Sequence, residues 1–273
     1  MISFIGTDLD GTLLNSQSEI SQVNRRAIRL AVSQGMQFAI CSGRTLNSVK
    51  QYLERDLKVP GYKILLNGAV IVDPNGHLLN DHPLDPKVID QLLKGVLNED
   101  FKVVLDSLDT TYISDPQLSG ATYYHGVSSK TILVSSIEGF REIAQNKDNV
   151  IYKVCFSASP QQAQKLIKII ESYSSLPVEV SRSGKYYYEI NPLNCTKFSA
   201  LQKLSTFSQI SINDFMCFGD YGNDLEMLRG VGHGVAMENA MPEVKKASNL
   251  VTKTNNQDGV AWMLNKVLRG EID

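Results

Sequence analysis

A chain of 273 residues with 42% hydrophobic residues, 21% charged residues and a formal net charge of −2 has a globular composition, enough for one large domain or two modest ones. No basic block offers a nucleic acid an electrostatic footing, no apolar run reaches membrane-spanning length, and Asp8 ends the first apolar run too early for a signal peptide. Cys41, Cys155, Cys195 and Cys217 are scattered without a C-x-x-C pair, and His77, His82, His125 and His233 lack ligand spacing, which reads as reduced core thiols in a cytoplasm and no zinc site.

The chain opens on an apolar stretch, Ile2-Ser-Phe-Ile-Gly6, that reads as a buried strand, followed by Asp8-Leu-Asp-Gly-Thr-Leu-Leu14. Period two sends Asp8 and Asp10 to the same side if the strand continues that far, and Gly11 permits a sharp turn. Two adjacent carboxylates repel. A divalent metal relieves that, and so does a division of labour in which one is ionised and the other holds a proton. A calcium loop fits the count at Asp8, Asp10, Thr12 and Glu19, but Leu13 stands where its glycine belongs, and a strand precedes it instead of a helix.

Ser21 caps a helix predicted over 22–34, and Gly35 ends it. A second strand, 36–41, ends on Ser42-Gly43-Arg44. A helix over 45–57 leads to a third strand, 62–66, ending on Asn67-Gly68. Pro74-Asn75-Gly76 marks a hairpin between 70–73 and 77–80. This β-α-β-α-β order predicts a parallel, Rossmann-like sheet with right-handed crossovers. After Pro83 the texture changes. A helix over 86–97 is followed by short strands at 101–106, 110–114, 131–134 and 152–157, a helix over 161–173, and strands at 177–182 and 186–191. Antiparallel pairing is expected here, and 114–130 reads as loop. From Thr196 the alternation returns, with a helix to about 207, strands at 215–218, 234–237 and 250–251, a helix from Asp220 through 228, a short one begun by Pro242 and a closing one over 259–268. The expected organisation is α/β: a core of residues 1–82 and 191–273 with an inserted α+β module of residues 83–190, hinged near Pro83 and Pro192.

Four clusters, Asp8/Asp10/Thr12, Ser42-Gly43-Arg44, Lys197 and Asp220/Asn223/Asp224, each follow a core strand or open a core helix, and such positions converge on one edge of a parallel sheet. Together they supply what a phosphate monoester and Mg2+ require. Asp8, Asp220 and the Asp10 carbonyl offer oxygens to the cation, and Asp224, one helical turn beyond Asp220, can hold a metal-bound water. Lys197 is a point charge for phosphate, and the Ser42 hydroxyl with backbone N–H groups at a helix N-terminus completes a cradle. An aspartate attacking phosphorus gives an aspartyl phosphate, with Asp10 protonating the leaving oxygen and then deprotonating the hydrolytic water. Taken singly, each cluster reads as well as a turn, a cap or a solvated lysine. Gly230-Val-Gly-His-Gly234 reads as a turn, not a dinucleotide loop.

The ordered set Asp8-Leu-Asp-Gly-Thr-Leu-Leu14, Cys41-Ser-Gly-Arg44, Lys197 and Phe218-Gly-Asp-Tyr-Gly-Asn-Asp224 resembles the haloacid dehalogenase (HAD) superfamily, most closely its Cof-like sugar-phosphatase branch. Asn67-Gly-Ala69, Glu189-Ile-Asn-Pro192 and Val235-Ala-Met-Glu-Asn-Ala240 extend the likeness along the chain. The resemblance implies Asp8 as nucleophile and Asp10 as acid/base. It implies phosphate binding by Leu9, Thr12, Ser42, Gly43, Lys197 and Asn223, and Mg2+ on Asp8, Asp10 and Asp220, with Asp224 beside it. The presence of Asp10 suits phosphate chemistry, since the dehalogenases lack that acid, and Leu9 in place of lysine fits the pump-type ATPases poorly. The long gap between Arg44 and Lys197 implies a C2-type cap, with His125, Arg182, Lys185 and Tyr187 as its candidate contacts. Asn194 and Glu238 stand where the family often has glycine.

The resulting expectation is a cytoplasmic, Mg2+-dependent phosphatase acting on small phosphorylated metabolites, with sugar phosphates leading and no nucleic-acid or membrane partner. A phosphotransferase or phosphomutase using the same aspartyl phosphate is the alternative, since phosphomannomutases resemble this layout. So is a sugar-phosphate sensor without turnover.

Overall fold

The computed structural model describes residues 2–97, 99–115 and 130–272; His125 and most of the expected 114–130 loop lie outside them. Strand β1 (Phe4–Thr7) is buried at all four positions, as a strand covered on both faces must be. It lies at the middle of an eight-stranded sheet with β2 (Gln37–Cys41), β3 (Tyr62–Leu65), β4 (Val70–Val72) and β5 (Leu78–Asp81) on one side, and β12 (Phe215–Gly219), β13 (His233–Ala236) and β14 (Leu250–Val251) on the other. The strands from β14 across to β3 are mutually parallel, and β4 and β5 add an antiparallel edge.

Helix α1 (Gln22–Ser33) begins where Ser21 accepts a hydrogen bond from the Asn24 N–H at 3.0 Å. Helix α2 (Leu46–Gln51) is shorter than its sequence suggests, because 52–57 widens into a π-type turn that ends on Lys58 at φ +54°. The same core takes helices from the C-terminal part of the chain. Their bounds are α6 (Lys197–Ser208), α7 (Leu225–Gly230), α8 (Pro242–Ala247) and α9 (Gly259–Leu268).

Between β5 and α6 the chain builds a second sheet. Its strands are β6 (Lys102–Asp106), β7 (Thr110–Ile113), β8 (Lys130–Leu133), β9 (Lys153–Ser157), β10 (Val178–Gly184) and β11 (Tyr187–Pro192), in the order β10-β11-β9-β6-β7-β8. Helices α3 (Pro86–Gly95), α4 (Ile137–Gln145) and α5 (Ala163–Ser172) cover one face, packing Ile89, Leu92, Phe140 and Leu166 onto Val103, Leu105, Val154, Phe156 and Ile190. Period two then sends Val104, Asp106, Lys153, Cys155 and Glu189 to the opposite face, toward the first sheet.

Three further details differ from the sequence reading. Helix α4 was not expected: Gly139 dilutes its helical signal, but Ser136 caps it by accepting from the Gly139 N–H, and Phe140 and Ala144 anchor it. Strand β8 pairs with β7 in parallel rather than antiparallel. Strand β11 continues through Pro192, which pairs with Val178, one residue past the strand end predicted at 191.

Candidate active site

Four parallel strands deliver polar residues to one edge of the first sheet: Asp8 after β1, Ser42 after β2, Asn67 after β3 and Asp220 after β12. The Asp8 N–H donates to the Phe218 carbonyl at 3.0 Å, which continues the sheet pairing to the site. The segment Leu9–Leu13 then folds as one wide turn, with Gly11 at φ +78°. A Cβ at Gly11 would stand 2.3 Å from Asp220 Oδ2, so glycine is needed both for the backbone angle and for the close approach. From outside the turn, Asn239 donates to the Gly11 carbonyl at 2.8 Å.

Lys197 is the first residue of α6 and shares a helix face with Ala200, Leu201 and Leu204, all buried. Thr196 and Ser199 form a reciprocal cap at that helix start, Ser199 N–H to Thr196 Oγ1 at 3.1 Å and Thr196 N–H to Ser199 Oγ at 3.0 Å. The lysine is thereby held inside the protein, wholly buried, with its ammonium 2.7 Å from Asp8 Oδ1 and 2.6 Å from Asp224 Oδ1. The other oxygen of Asp224 accepts from the Asp220 and Tyr221 amides at 3.0 and 3.2 Å. Asp224 therefore braces both Lys197 and the loop that carries Asp220. Thr12, equally buried, donates to Asp220 Oδ1 at 2.9 Å.

Asp10 turns the other way. Arg44, 1% exposed, clamps it with two bonds, Nε to Oδ2 at 2.7 Å and Nη2 to Oδ1 at 2.5 Å. That bidentate fork fixes the plane of the carboxylate as well as its position. The Ser42 hydroxyl accepts from the Arg44 amide at 3.2 Å. Asp8, Asp10, Ser42, Gly43, Arg44, Asp220 and Asn223 surround a small cavity of roughly 30 Å3. Ser183 of β10 and Tyr221 close it. A larger cavity of about 430 Å3 shares Asn223 with it, is lined by Asn67 and Lys197, and is walled by Glu179, Ser181, Arg182 and Tyr188 of the inserted sheet. Its volume is that of a small-molecule site.

The sequence-derived residues thus divide. Asp8, Asp10, Ser42, Gly43, Asp220 and Asn223 meet around one cavity, and Lys197 reaches it through Asp8. The Leu9 side chain lies in the core, leaving only its backbone near the site. Thr12 directs its hydroxyl to Asp220 and lines neither cavity. Of the insert residues, Arg182 walls the larger cavity, whereas Lys185 lies over the Tyr186 ring and Tyr187 packs with Val104, Ile113 and Cys155; neither lines either cavity. The sequence offered no role for Arg44, although its place two residues after Ser42 was visible, and no sign of Ser183 or Tyr221. Asn194 adopts φ +63°, the left-handed conformation a glycine would supply and one that asparagine tolerates. Glu238 is exposed, with its N–H donating to the Lys253 carbonyl.

Burial raises the Asp8 pKa well above the ordinary carboxylate range; the Lys197 charge opposes the rise, while Asp224, Asp220 and Asp10 add to it. Burial, with Asp224 next, pushes Asp220 up to about 7. Burial disfavours the Lys197 charge, yet Asp224 and Asp8 more than offset it and raise its pKa. Arg44 likewise is raised against burial by Asp10. Asp8, Asp220 and Asp224 each bring a carboxylate oxygen within 4.8 Å of the others. Crowded, buried, like-charged oxygens of this kind are a donor set for a hard divalent cation, whose charge relieves the cost that raises the Asp8 and Asp220 pKa values.

The family model of haloacid dehalogenase-like hydrolases matches residues 5–264. The 5-amino-6-(5-phospho-D-ribitylamino)uracil phosphatase YwtE of Bacillus subtilis is 31% identical over 98% of this chain and 98% of its own length. The HMP-PP phosphatase of Yersinia enterocolitica is 29% identical over 88% of this chain and 85% of its own. The solved structure of a haloacid dehalogenase-like hydrolase from B. subtilis superposes with a TM-score of 0.86 at 25% identity, covering 97% of this chain and 99% of that one. Fold, strand-end residues and relatives agree: this chain belongs to the haloacid dehalogenase-like hydrolases.

Proposed function

We propose that the protein is a Mg2+-dependent phosphatase of small phosphorylated metabolites, with phosphorylated sugars and sugar alcohols as its substrate class. The observation that carries this reading is the convergence of Asp8, Lys197, Asp220 and Asp224 from three distant parts of the chain, beside an aspartate clamped by arginine. Asp8 is the nucleophile: its carboxylate oxygen bonds to phosphorus while the ester oxygen leaves, and Asp10 gives that oxygen a proton. Asp10 then takes a proton from the water that attacks the aspartyl phosphate, and inorganic phosphate departs. Lys197 offsets charge on the nucleophile and the phosphoryl group, and Ser42 and Asn223 donate to phosphoryl oxygens. Asp8, Asp220 and the Asp10 carbonyl, together with Asp224, would hold Mg2+, which would supply further neutralisation of phosphoryl charge. The inserted sheet acts as a lid, with Ser183 over the reacting atoms and the 430 Å3 cavity taking the leaving group. The ribitol phosphate named for the YwtE relative is such a leaving-group class. Four buried free thiols suit a reducing, cytoplasmic setting.

The test is a phosphate-release screen over sugar and sugar-alcohol phosphates, nucleotides and pyridoxal phosphate with Mg2+. Release from the first group is expected, together with loss of turnover in Asp8→Asn. Wild-type rates in that variant would remove Asp8 as nucleophile, and dominant intramolecular transfer without release would replace hydrolysis by mutase chemistry.

A further inference from the structure

The inserted sheet presents a buried ammonium group to the first sheet, and that group does not reach the reacting atoms. Lys153 of β9 is 1% exposed and lies between two buried carboxyl groups of its own sheet, Asp106 at 3.1 Å and Glu189 at 3.1 Å. Asp106 is its direct partner across the β6–β9 ladder and also accepts from Thr111 at 2.7 Å. Glu189 is held in turn by Asn67, whose amide donates to it at 2.9 Å and to Asn191 at 3.0 Å. A lysine buried among carboxylates would be fully explained as a structural ion pair. Here, however, its ammonium also donates at 2.5 Å to the Gly43 carbonyl, in the loop after β2.

That carbonyl belongs to the Gly43–Arg44 peptide. The N–H of the same peptide donates to Ser42 Oγ. A cation on the carbonyl oxygen draws electron density through the amide and makes its N–H a stronger donor, so the two bonds reinforce each other. A hydroxyl oxygen that accepts from this amide keeps its own proton for donation to a group in the cavity that Ser42 lines with Asp8. The glycine is also pressed against the network: a Cβ on Gly43 would stand 3.0 Å from Asn67 Oδ1 and 3.2 Å from Glu189 Oε1.

We propose that Lys153 is a positioning residue for phosphate binding: the inserted sheet delivers its ammonium to the Gly43 carbonyl, and the Gly43–Arg44 peptide passes that constraint to the Ser42 hydroxyl. The inference rests on the phosphatase reading for the identity of the anion. It ties the seating of the insert to the readiness of the phosphate cradle through a chain of three hydrogen-bonded groups, none of which is on a cavity-lining residue of the insert.

The test is a double-mutant cycle on Lys153→Met and Ser42→Ala, read as the affinity for inorganic phosphate by calorimetry in Mg2+ buffer, with thermal unfolding of each variant measured alongside. Lys153→Met is expected to weaken phosphate binding by about tenfold when Ser42 is present and by less than about twofold in the Ser42→Ala background, because the pathway ends at that hydroxyl. Equal losses in both backgrounds would show that Lys153 acts through general packing or its own field, and overturn the proposal; so would unchanged affinity in Lys153→Met. Should that variant not fold, Asp106→Asn/Lys153→Met/Glu189→Gln, which leaves no unpaired buried charge, carries the same comparison. Because binding is read directly, a protein that shows this Ser42 dependence and releases no phosphate from any monoester retires the phosphatase reading and leaves this one standing. Additive losses in a protein that does release phosphate retire only this one.

Discussion

Arg44→Lys is the substitution that most sharply tests the assignment of Asp10 as acid. The wild-type pair holds two charge-assisted bonds at 2.5 and 2.7 Å, and its arginine is 1% exposed. Lysine keeps the charge but offers a point in place of a fork, so one bond and the fixed carboxylate plane are lost. One charge-assisted bond is worth about 1.5–3 kcal/mol, and a general acid contributes about 10²–10⁴ in rate. A misaligned Asp10 should therefore forfeit roughly 10²-fold in kcat/KM toward an alkyl phosphate such as a hexose phosphate, whose leaving oxygen must be protonated. Toward p-nitrophenyl phosphate the leaving oxygen departs as a stable anion, and kcat/KM should fall by only a few-fold. The assay is steady-state kinetics on both substrates for wild type, Arg44→Lys and Asp10→Asn, with the melting temperature of each as a check on folding. The use of kcat/KM confines the readout to steps up to aspartyl-phosphate formation. Equal losses on the two substrates, in a folded protein, would refute the reasoning, because they would place Arg44 on binding or on the nucleophile and not on the acid.

Other expectations follow from the same geometry. Asp220 has its pKa raised from 3.8 to about 7 by burial, with Asp224 next. Its contribution to stability is full below about pH 4 and is lost as pH rises through about 7, so the metal-free protein should lose thermal stability over that window. The slope should shrink in Asp220→Asn, and added Mg2+ should restore stability most at the upper end; a flat profile in EDTA would contradict this. Gly11→Ala forces a non-glycine residue to φ +78° and drives Cβ against Asp220, costing on the order of 1–3 kcal/mol. Denaturant unfolding should register that cost, and the Mg2+ requirement for turnover should rise at the same time. Asn194→Gly should change stability by less than about 0.5 kcal/mol, since glycine accepts the φ of +63°, whereas Asn194→Val should cost more than about 1 kcal/mol by the same measurement.

Much of this was legible in the chain because parallel strands announce themselves. Apolar runs ending on Asp8, Ser42, Asn67 and Asp220 fix which side chains share an edge, and helical phase explains why Lys197, an ordinary surface residue by type, is buried with Ala200 and Leu204. What escaped depends on distances between segments remote in sequence. The Arg44–Asp10 clamp spans 34 residues, and the Asn67–Glu189 bond spans 122. No local pattern encodes the reach of a guanidinium or an amide. Lys153 did leave a trace, as a lysine heading the strand Lys153–Ser157 whose other positions are mostly apolar, but the trace says only that the charge must be paired, not with what. Helix α4 escaped for another reason: a single cap and two buried residues carry it, and tertiary packing outweighs the low propensity of Gly139.

The electrostatics of the edge bear on the order of events. Four carboxyl groups, Asp8, Asp10, Asp220 and Asp224, meet the basic side chains of Lys197 and Arg44, and both of those are already engaged: Lys197 lies between Asp8 and Asp224, and Arg44 forks onto Asp10. The charge of both side chains is therefore largely compensated by carboxylates before a dianion arrives. A phosphate monoester approaching Asp8 would add like charge to a site where burial and neighbouring aspartates already hold the Asp8 and Asp220 pKa values high. Either a proton or a divalent cation has to compensate. A proton on Asp8 would quench the nucleophile, so of the two only the cation leaves the chemistry intact. On the phosphatase reading a bound cation would therefore ease substrate entry as well as turnover, and Lys197, which lowers the Asp8 pKa against burial, would favour the ionised nucleophile before it meets the phosphoryl group.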